Sequence, residues 1–309
     1  MRTIFFGSSS FSVPALKSIA EHTICVVTKK AKPKGRGYAL DDNEVKMAAQ
    51  ELNLPLIEID SFKDEVVRTL PDHKPDFFAV VSFGLIVPKW VLDIPSVGPI
   101  NVHPSLLPLY RGPSPMQWAI LSGDETTGIT LIRMNEKMDA GDVIYQEQVG
   151  IGQGENFIEL SERLAKRVSE ILPEVLREIH ARGTIEGTEQ RHDAATYTPI
   201  ITKQMGMIDW SKSAQEIDRQ VRALVSWPTA YTYLDGRMMK VFEASVEQDV
   251  QAKEKQGRIG AIVRDGLLAD CGRGVLRLKE IQMENKRRMR AYDFAQGYRD
   301  LVGKVLGGP

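Results

Sequence analysis

The sequence predicts a doubly wound, mainly parallel α/β sheet followed by a second, smaller OB-like β-barrel domain. Short apolar runs at 2–6, 23–28, 55–58, 77–82, 98–102 and 127–133 alternate with helical patterns near 13–20, 44–52, 62–69 and 115–122. Such βαβα alternation implies parallel strands with helices on both faces. The longest apolar stretch, Phe77 to Val87, is broken by Ser82 and ended by Pro88, and reads as a buried strand. Beyond residue 230 the pattern changes to short alternating segments punctuated by glycine, at 232–234, 238–242, 258–263, 267–270 and 274–278. That spacing fits a small barrel or sandwich, and a basic surface on a compact barrel suits the OB-like form.

Between these halves, Leu160, Leu164, Val168, Leu172, Val175 and Ile179 recur on one face of a helix spanning 155–182. Pro173 is a candidate kink in that helix, and Gly183 ends it. A polar stretch, 184–206, reads as a linker. Ser213 and Glu216 then form a capping box for a helix over 214–224, which Trp227-Pro228 terminates. The expected division is therefore 1–183, a linker at 184–206, and 207–309.

The 309 residues are 42% apolar and 26% charged, which excludes a disordered chain, a collagen-like fibre and a disulfide scaffold. Cys25 and Cys271 lie far apart, so a reducing, cytoplasmic setting is expected. Neither they nor the five histidines show metal-ligand spacing, and no metal is expected. No apolar run reaches the ~20 residues of a membrane span, and the N-terminus lacks the layout of a signal peptide. Residues 1–199 carry 21 basic and 27 acidic side chains, whereas residues 200–309 carry 19 and 14. The basic C-terminal third fits either a polyanionic partner or chance drift in surface composition.

Four constellations carry potential chemistry. The first strand leads into Gly7-Ser8-Ser9-Ser10-Phe11, a strand–turn–helix unit that either binds a ligand or simply caps the helix. A single glycine there does not make a dinucleotide fingerprint. Asn101-Val102-His103 follows an apolar strand, and residues two apart on a strand share a face. An amide N–H beside an imidazolium can stabilise a developing oxyanion; the plainer reading is a loop asparagine and a hydrogen-bonded histidine. Asp142, in Met138-Asp139-Ala140-Gly141-Asp142, can supply a carboxylate to that imidazole, or can be a turn residue. Finally, Lys29 to Gly37 holds five positive charges in nine residues, a Gly/Pro loop suited to phosphate contact or to a solvated surface. Lys286 to Arg290 is a second basic cluster.

Taken in order, these motifs resemble the methionyl-tRNA formyltransferase family over essentially the whole chain. The resemblance rests on Phe6-Gly7 through Phe11, Lys34-Gly35-Arg36-Gly37, Asn101-Val102-His103 with Ser105-Leu106-Leu107-Pro108, Met138 through Asp142, and Trp227-Pro228 followed by Gly236 and Lys240-Val241. It implies a Rossmann-like formyltransferase domain and a tRNA-binding C-terminal domain. The implied activity is transfer of a formyl group from 10-formyltetrahydrofolate to the α-amine of methionine on initiator tRNA. It also implies site roles. Asn101 and His103 would stabilise the oxyanion, while Asp142 would keep His103 protonated and relay the amine proton. Ser105, Leu106, Leu107 and Pro108, with Leu85, Ile86 and Val87, would hold the folate. Lys32, Lys34 and Arg36 would reach the tRNA, and Phe11 would touch the methionyl side chain. The implied partners are initiator methionyl-tRNA and folate, with a monomeric chain and no membrane. The same motifs occur in formyltransferases of small amines such as amino-sugar nucleotides, which is the alternative acceptor.

Overall fold

The computed structural model describes all residues except 35–38, 42, 249, 251, 253–254 and 309, and only the backbone of 32–34 and 39–41. Contacts divide the chain into two units. The first comprises 1–115, 127–150 and 161–198; the second comprises 116–126, 151–160 and 199–309.

The first unit opens with β1 (Thr3–Gly7), a 3-10 turn at Ser10–Ser12, α1 (Val13–Ser18) and β2 (Thr23–Lys29). A short hairpin, β3 (Lys32–Lys34) and β4 (Ala39–Asp41), precedes α2 (Glu44–Glu51) and β5 (Leu56–Ile59). There follow β6 (Phe77–Val81), α3 (Lys89–Leu92), β7 (Gly98–His103), α4 (Pro115–Ser122), β8 (Thr126–Arg133), β9 (Val143–Gly150) and α5 (Phe157–Arg182). The seven-stranded sheet has the order β5-β2-β1-β6-β7-β8-β9. Its first five strands are parallel, and β8 runs antiparallel to β7. Every residue of β1 and β6 is buried, as expected of central strands covered on both faces. On one face Ile4, Phe6, Phe78 and Val80 pack with Phe83, Val91 and Leu92. On the other, the Phe77 ring lies 6.2 Å from the His180 ring of α5.

The α5 stripe is buried at all six predicted positions, and the helix continues through Pro173. A tripartite contact ties it to β9: Arg167 donates Nε and Nη2 to the two Glu147 oxygens at 2.8 Å each, and the Tyr145 hydroxyl donates to Glu147 at 2.5 Å. Two expectations shift in this unit. The segment near 62–69 forms a 3-10 helix, Glu65–His73, because Asp64 accepts from the Asp60 N–H and the Ser61 hydroxyl and fixes a turn where the helix would start. Strand β9 was not predicted, since its half-exposed Tyr-Gln-Glu-Gln sequence offers no apolar run.

The polar stretch 184–206 does not hang free. Val143 and Thr188 exchange both backbone bonds, at 2.8 and 2.9 Å, and the Arg111 N–H donates to Thr196 while Arg111 accepts from Thr198. Gln190 and Thr198 are buried. The residues up to Thr198 thus belong to the first unit, and their polarity serves hydrogen bonding to it rather than solvation.

The second unit gathers α4 and the start of α5 around α6 (Ala214–Ala223), whose Ser213–Glu216 capping box forms as predicted. Five antiparallel strands follow: β10 (Ala230–Leu234), β11 (Arg237–Val246), β12 (Ile259–Val263), β13 (Gly266–Asp270) and β14 (Val275–Met283). The chain ends with β15 (Met289–Arg290) and α7 (Ala291–Gln296). The sheet order is β10-β11-β14-β13-β12, with β15 beside β14. The segment 303–307 joins the two edges. Ile259 donates to Lys304, Leu306 donates to Gly257, and Tyr233 and Gly307 exchange bonds. This C-terminal segment bonds to both edge strands, at Ile259 of β12 and Tyr233 of β10, and so bridges the sheet into a barrel. Leu234, Met239, Val241, Leu276 and Leu278 fill it, with Ile217 and Val221 of α6 packed against them.

The Arg167 guanidinium, and then the Tyr145 hydroxyl, lower the Glu147 carboxyl from an ordinary 4.5 to about 2. A lowered carboxylate stabilises the fold above its unfolded value and loses that contribution as pH falls through its folded value. Glu147→Gln is therefore expected to cost about 1 kcal/mol at neutral pH, the scale of a partly screened ion pair. Urea midpoints of parent and variant should converge as pH falls from 5 toward 2, which is checked by circular dichroism.

Candidate functional site

The C-terminal ends of β1, β6 and β7 lie along one edge of the parallel sheet, where loops of doubly wound folds carry function. Serines pin this edge. Ser8 donates to the Phe83 carbonyl, Ser9 to the Ser82 hydroxyl at 2.8 Å, and Ser12 to the Val81 carbonyl at 2.5 Å. Asn101 pairs with Val80 of β6, and His103 is the last residue of β7. Both point the same way, as their spacing requires.

The third member of the cluster is Asp139. Strand β8 ends beside the start of β7, and the chain then makes a loop whose neck is closed by the Arg133 N–H donating to Asp142 O at 2.9 Å. The loop folds back along β7. Its Asp139 carboxylate accepts from Asn101 Nδ2 at 3.3 Å and from the Gly112 N–H at 2.8 Å, and faces His103 Nδ1 at 3.6 Å. His103 Nε2 lies 2.8 Å from the Tyr110 carbonyl. A carbonyl only accepts, so that nitrogen carries a hydrogen and Nδ1 is the one turned to the carboxylate. His103 is buried, with Asp139 nearly so. Tyr110, Ser114 and Asp139 have φ of 60°, 63° and 49°. Such left-handed residues cost on the order of 1 kcal/mol or more each and cluster at functional sites.

Asp142 was expected against His103 and is not there. Its carbonyl closes the loop neck, and its side chain lines a cavity of about 510 Å³. The carboxylate that lies against His103 is Asp139, three residues earlier in the same motif. A lone sequence does not reveal which of two aspartates three residues apart faces back toward β7. The signal was present nonetheless: Asp139 precedes Ala140-Gly141, and a tight neck turns at the glycine.

The cavity is walled by Lys89 and Leu92 of α3, Pro99, Met134 to Lys137, Ala140, Asp142 and His192. Of the residues expected to hold folate, none forms its wall. Ser105 and Leu107 are buried structural groups. Ser105 donates to the Leu109 carbonyl at 2.6 Å, Thr130 donates to the Ser105 carbonyl at 2.6 Å, and Gln146 donates to the Leu107 carbonyl at 2.8 Å. Leu106 packs near Gly128, and the Pro108 carbonyl accepts from Thr196. Leu85 and Val87 pack into the core, and Ile86 is exposed. Val87 does lead into α3, so this stretch sets the position of the Leu92 wall. Phe11 is 5% exposed and offers almost no surface to a methionyl side chain. Lys32 and Lys34 lie on β3, of which only the backbone is described, and Arg36 lies outside the described residues.

Burial pushes the Cys25 thiol up to about 11 and the Cys271 thiol up to about 12, so neither supplies a thiolate at neutral pH. Among the described residues no three His, Cys, Asp or Glu side chains gather to hold a metal, and no helix is long and apolar enough to cross a membrane. The cluster is thus an amide, an imidazole and a carboxylate; none of the three lines the cavity, which Ala140, next to Asp139, connects to them along the chain. That set can polarise a carbonyl and accept a proton.

The formyl transferase family model matches residues 1–176, and the model of its C-terminal domain matches residues 200–299. A methionyl-tRNA formyltransferase of Citrifermentans bemidjiense is 37% identical over 99% of this chain and 96% of its own length. The chain belongs to the methionyl-tRNA formyltransferase family. Among solved structures, HypX from Aquifex aeolicus in complex with tetrahydrofolic acid superposes with a TM-score of 0.67 at 19% identity, covering 98% of this chain and 48% of HypX. A methionyl-tRNA formyltransferase from Clostridium thermocellum gives 0.55 at 18% identity, covering 81% and 95%. At such identities these two matches speak for the fold.

The loop neck gives a test of the site's geometry. A Cβ on Gly141 would lie 1.7 Å from the Arg133 carbonyl oxygen, a clash with backbone that only a shift of the loop relieves. Gly141→Ala should therefore cut formyl transfer by about a hundredfold, the scale of a misplacement near 1 Å. Initial-rate measurements beside a thermal melt check this.

Proposed function

We infer that the chain transfers a formyl group to the α-amine of methionyl-tRNA, using Asn101, His103 and Asp139 as the reacting cluster. The observation that carries the assignment of these residues is the single Asp139 carboxylate held within hydrogen-bond or ion-pair reach of both Asn101 and His103. A 10-formyl folate bound in the cavity supplies the formyl carbon. The cavity fits such a group: its volume lies within the roughly 300–1,000 Å³ of small-molecule sites. Leu92, Pro99 and Met134 offer an apolar slot for a flat ring, while Asn135, Lys137 and His192 offer polar partners.

In the reaction the amine nitrogen bonds to the formyl carbon, the bond from that carbon to the donor nitrogen breaks, and one proton moves from amine to leaving nitrogen. Asn101 has a second N–H free of Asp139, and His103 in its imidazolium form presents Nδ1–H; both stabilise the oxyanion that develops on the formyl oxygen. Asp139 takes the amine proton. We further propose that the first unit performs this chemistry and that the barrel unit, with the basic Lys29–Arg36 run, holds the tRNA. The C-terminal excess of positive charge supports that division.

Two measurements test the reading. In transfer of labelled formyl to charged initiator tRNA, His103→Ala and Asp139→Asn should each lose about a hundredfold or more in kcat, the usual cost of removing a preorganised group. Asp142→Asn should lose much less; the reverse ranking would return the role to Asp142. Neutralising Lys34 and Arg36 together should flatten the dependence of tRNA affinity on log salt by about one to two units. An unchanged slope would favour a small amine acceptor, tested in parallel with nucleotide sugars.

A further inference from the structure

Arg111 is 2% exposed, and none of its guanidinium partners is a carboxylate. Its Nε and Nη2 donate to the Gln190 Oε1 at 3.2 and 2.7 Å; Nη2 also meets His192 Nδ1 at 2.9 Å, and Nη1 donates to the Tyr197 hydroxyl at 3.2 Å. On its other side Gln190 donates Nε2 to two loop carbonyls, Asp139 O at 2.9 Å and Gly141 O at 2.7 Å. Gln190 is itself 5% exposed.

The chemistry leaves this amide one orientation. A guanidinium only donates, so the amide oxygen must face Arg111; the loop carbonyls only accept, so the amide nitrogen must face them. The two carbonyls it grips flank Ala140, next to an Asp139 held at φ 49°. A left-handed aspartate persists only where its surroundings over-determine it. Gln190 and the loop neck at Arg133–Asp142 are two restraints that do so from the backbone side.

We propose that Gln190, oriented by the buried Arg111, is a positioning residue: it fixes the backbone of Asp139 and so the carboxylate that meets Asn101 and His103. The inference rests on the catalytic reading of Asp139. It gives the polar 188–198 segment a role in the chemistry of the first unit, through the loop backbone it holds.

The variant that separates positioning from mere packing is Gln190→Glu. Glutamate still accepts from Arg111 and pairs its charge, yet has no N–H for Asp139 O and Gly141 O. If Gln190 positions Asp139, kcat for formyl transfer falls by on the order of ten- to a hundredfold. KM for methionyl-tRNA stays within about threefold, because for that substrate only a group needed in the transition state has been displaced. If Gln190 serves only to satisfy Arg111, the Glu variant keeps parental kcat, and that result overturns the proposal. A kcat loss matched by an equal rise in KM also overturns it. Should Gln190→Glu fail to fold, Gln190→Met, of similar shape without donors, is read by the same split. Asp139→Asn measured alongside keeps the two questions apart: near-parental turnover there defeats the catalytic reading itself, whereas loss there with unchanged Gln190 variants defeats only the clamp.

Discussion

One carboxylate organises the functional edge of the first unit. Asp139 accepts the Gly112 N–H and an Asn101 N–H and faces the His103 ring, so the end of β7 and the loop after it converge on its two oxygens. A partly buried carboxylate needs several donors to remain charged. That need shapes the cluster: satisfying Asp139 draws Asn101, His103 and the Gly112 N–H together.

The sheet makes this convergence possible. Burial of β1 and β6 on both faces fixes the central strands, and with them the level at which β7 ends. The antiparallel β8 ends beside the start of β7, and the loop after it leaves and re-enters the sheet there, at the Arg133–Asp142 neck, reaching along β7 in between. The return path carries Asp139 past Asn101 to His103. Local strain at Tyr110, Ser114 and Asp139 is tolerated because backbone bonds from 188–198 hold both loops.

The barrel unit solves a different problem. Its strands β10 and β12 would be open edges, and the last residues of the chain cover both at once. Closure lets an alternating, half-apolar sequence bury one face completely, with α6 as a lid on the packed interior.

Much of this was legible in the residues. The alternating runs located β1, β2, β5, β6, β7 and β8 and the buried stripe of α5, because burial on a sheet or helix face imposes a period on the chain. The Asn101/His103 pair was legible for the same reason, since a strand's period of two puts them on one face. Contacts between distant segments leave no such period. Asp139 was passed over for Asp142, and 184–198 was taken for a linker, because only the folded chain shows which carboxylate the loop turns inward and which polar groups are buried. The sequence by itself determined most of the elements and the strand end that carries Asn101 and His103. The tertiary structure decided the carboxylate, the cavity wall and the Arg111–Gln190 support, because a polar side chain takes its role from partners that folding brings from elsewhere.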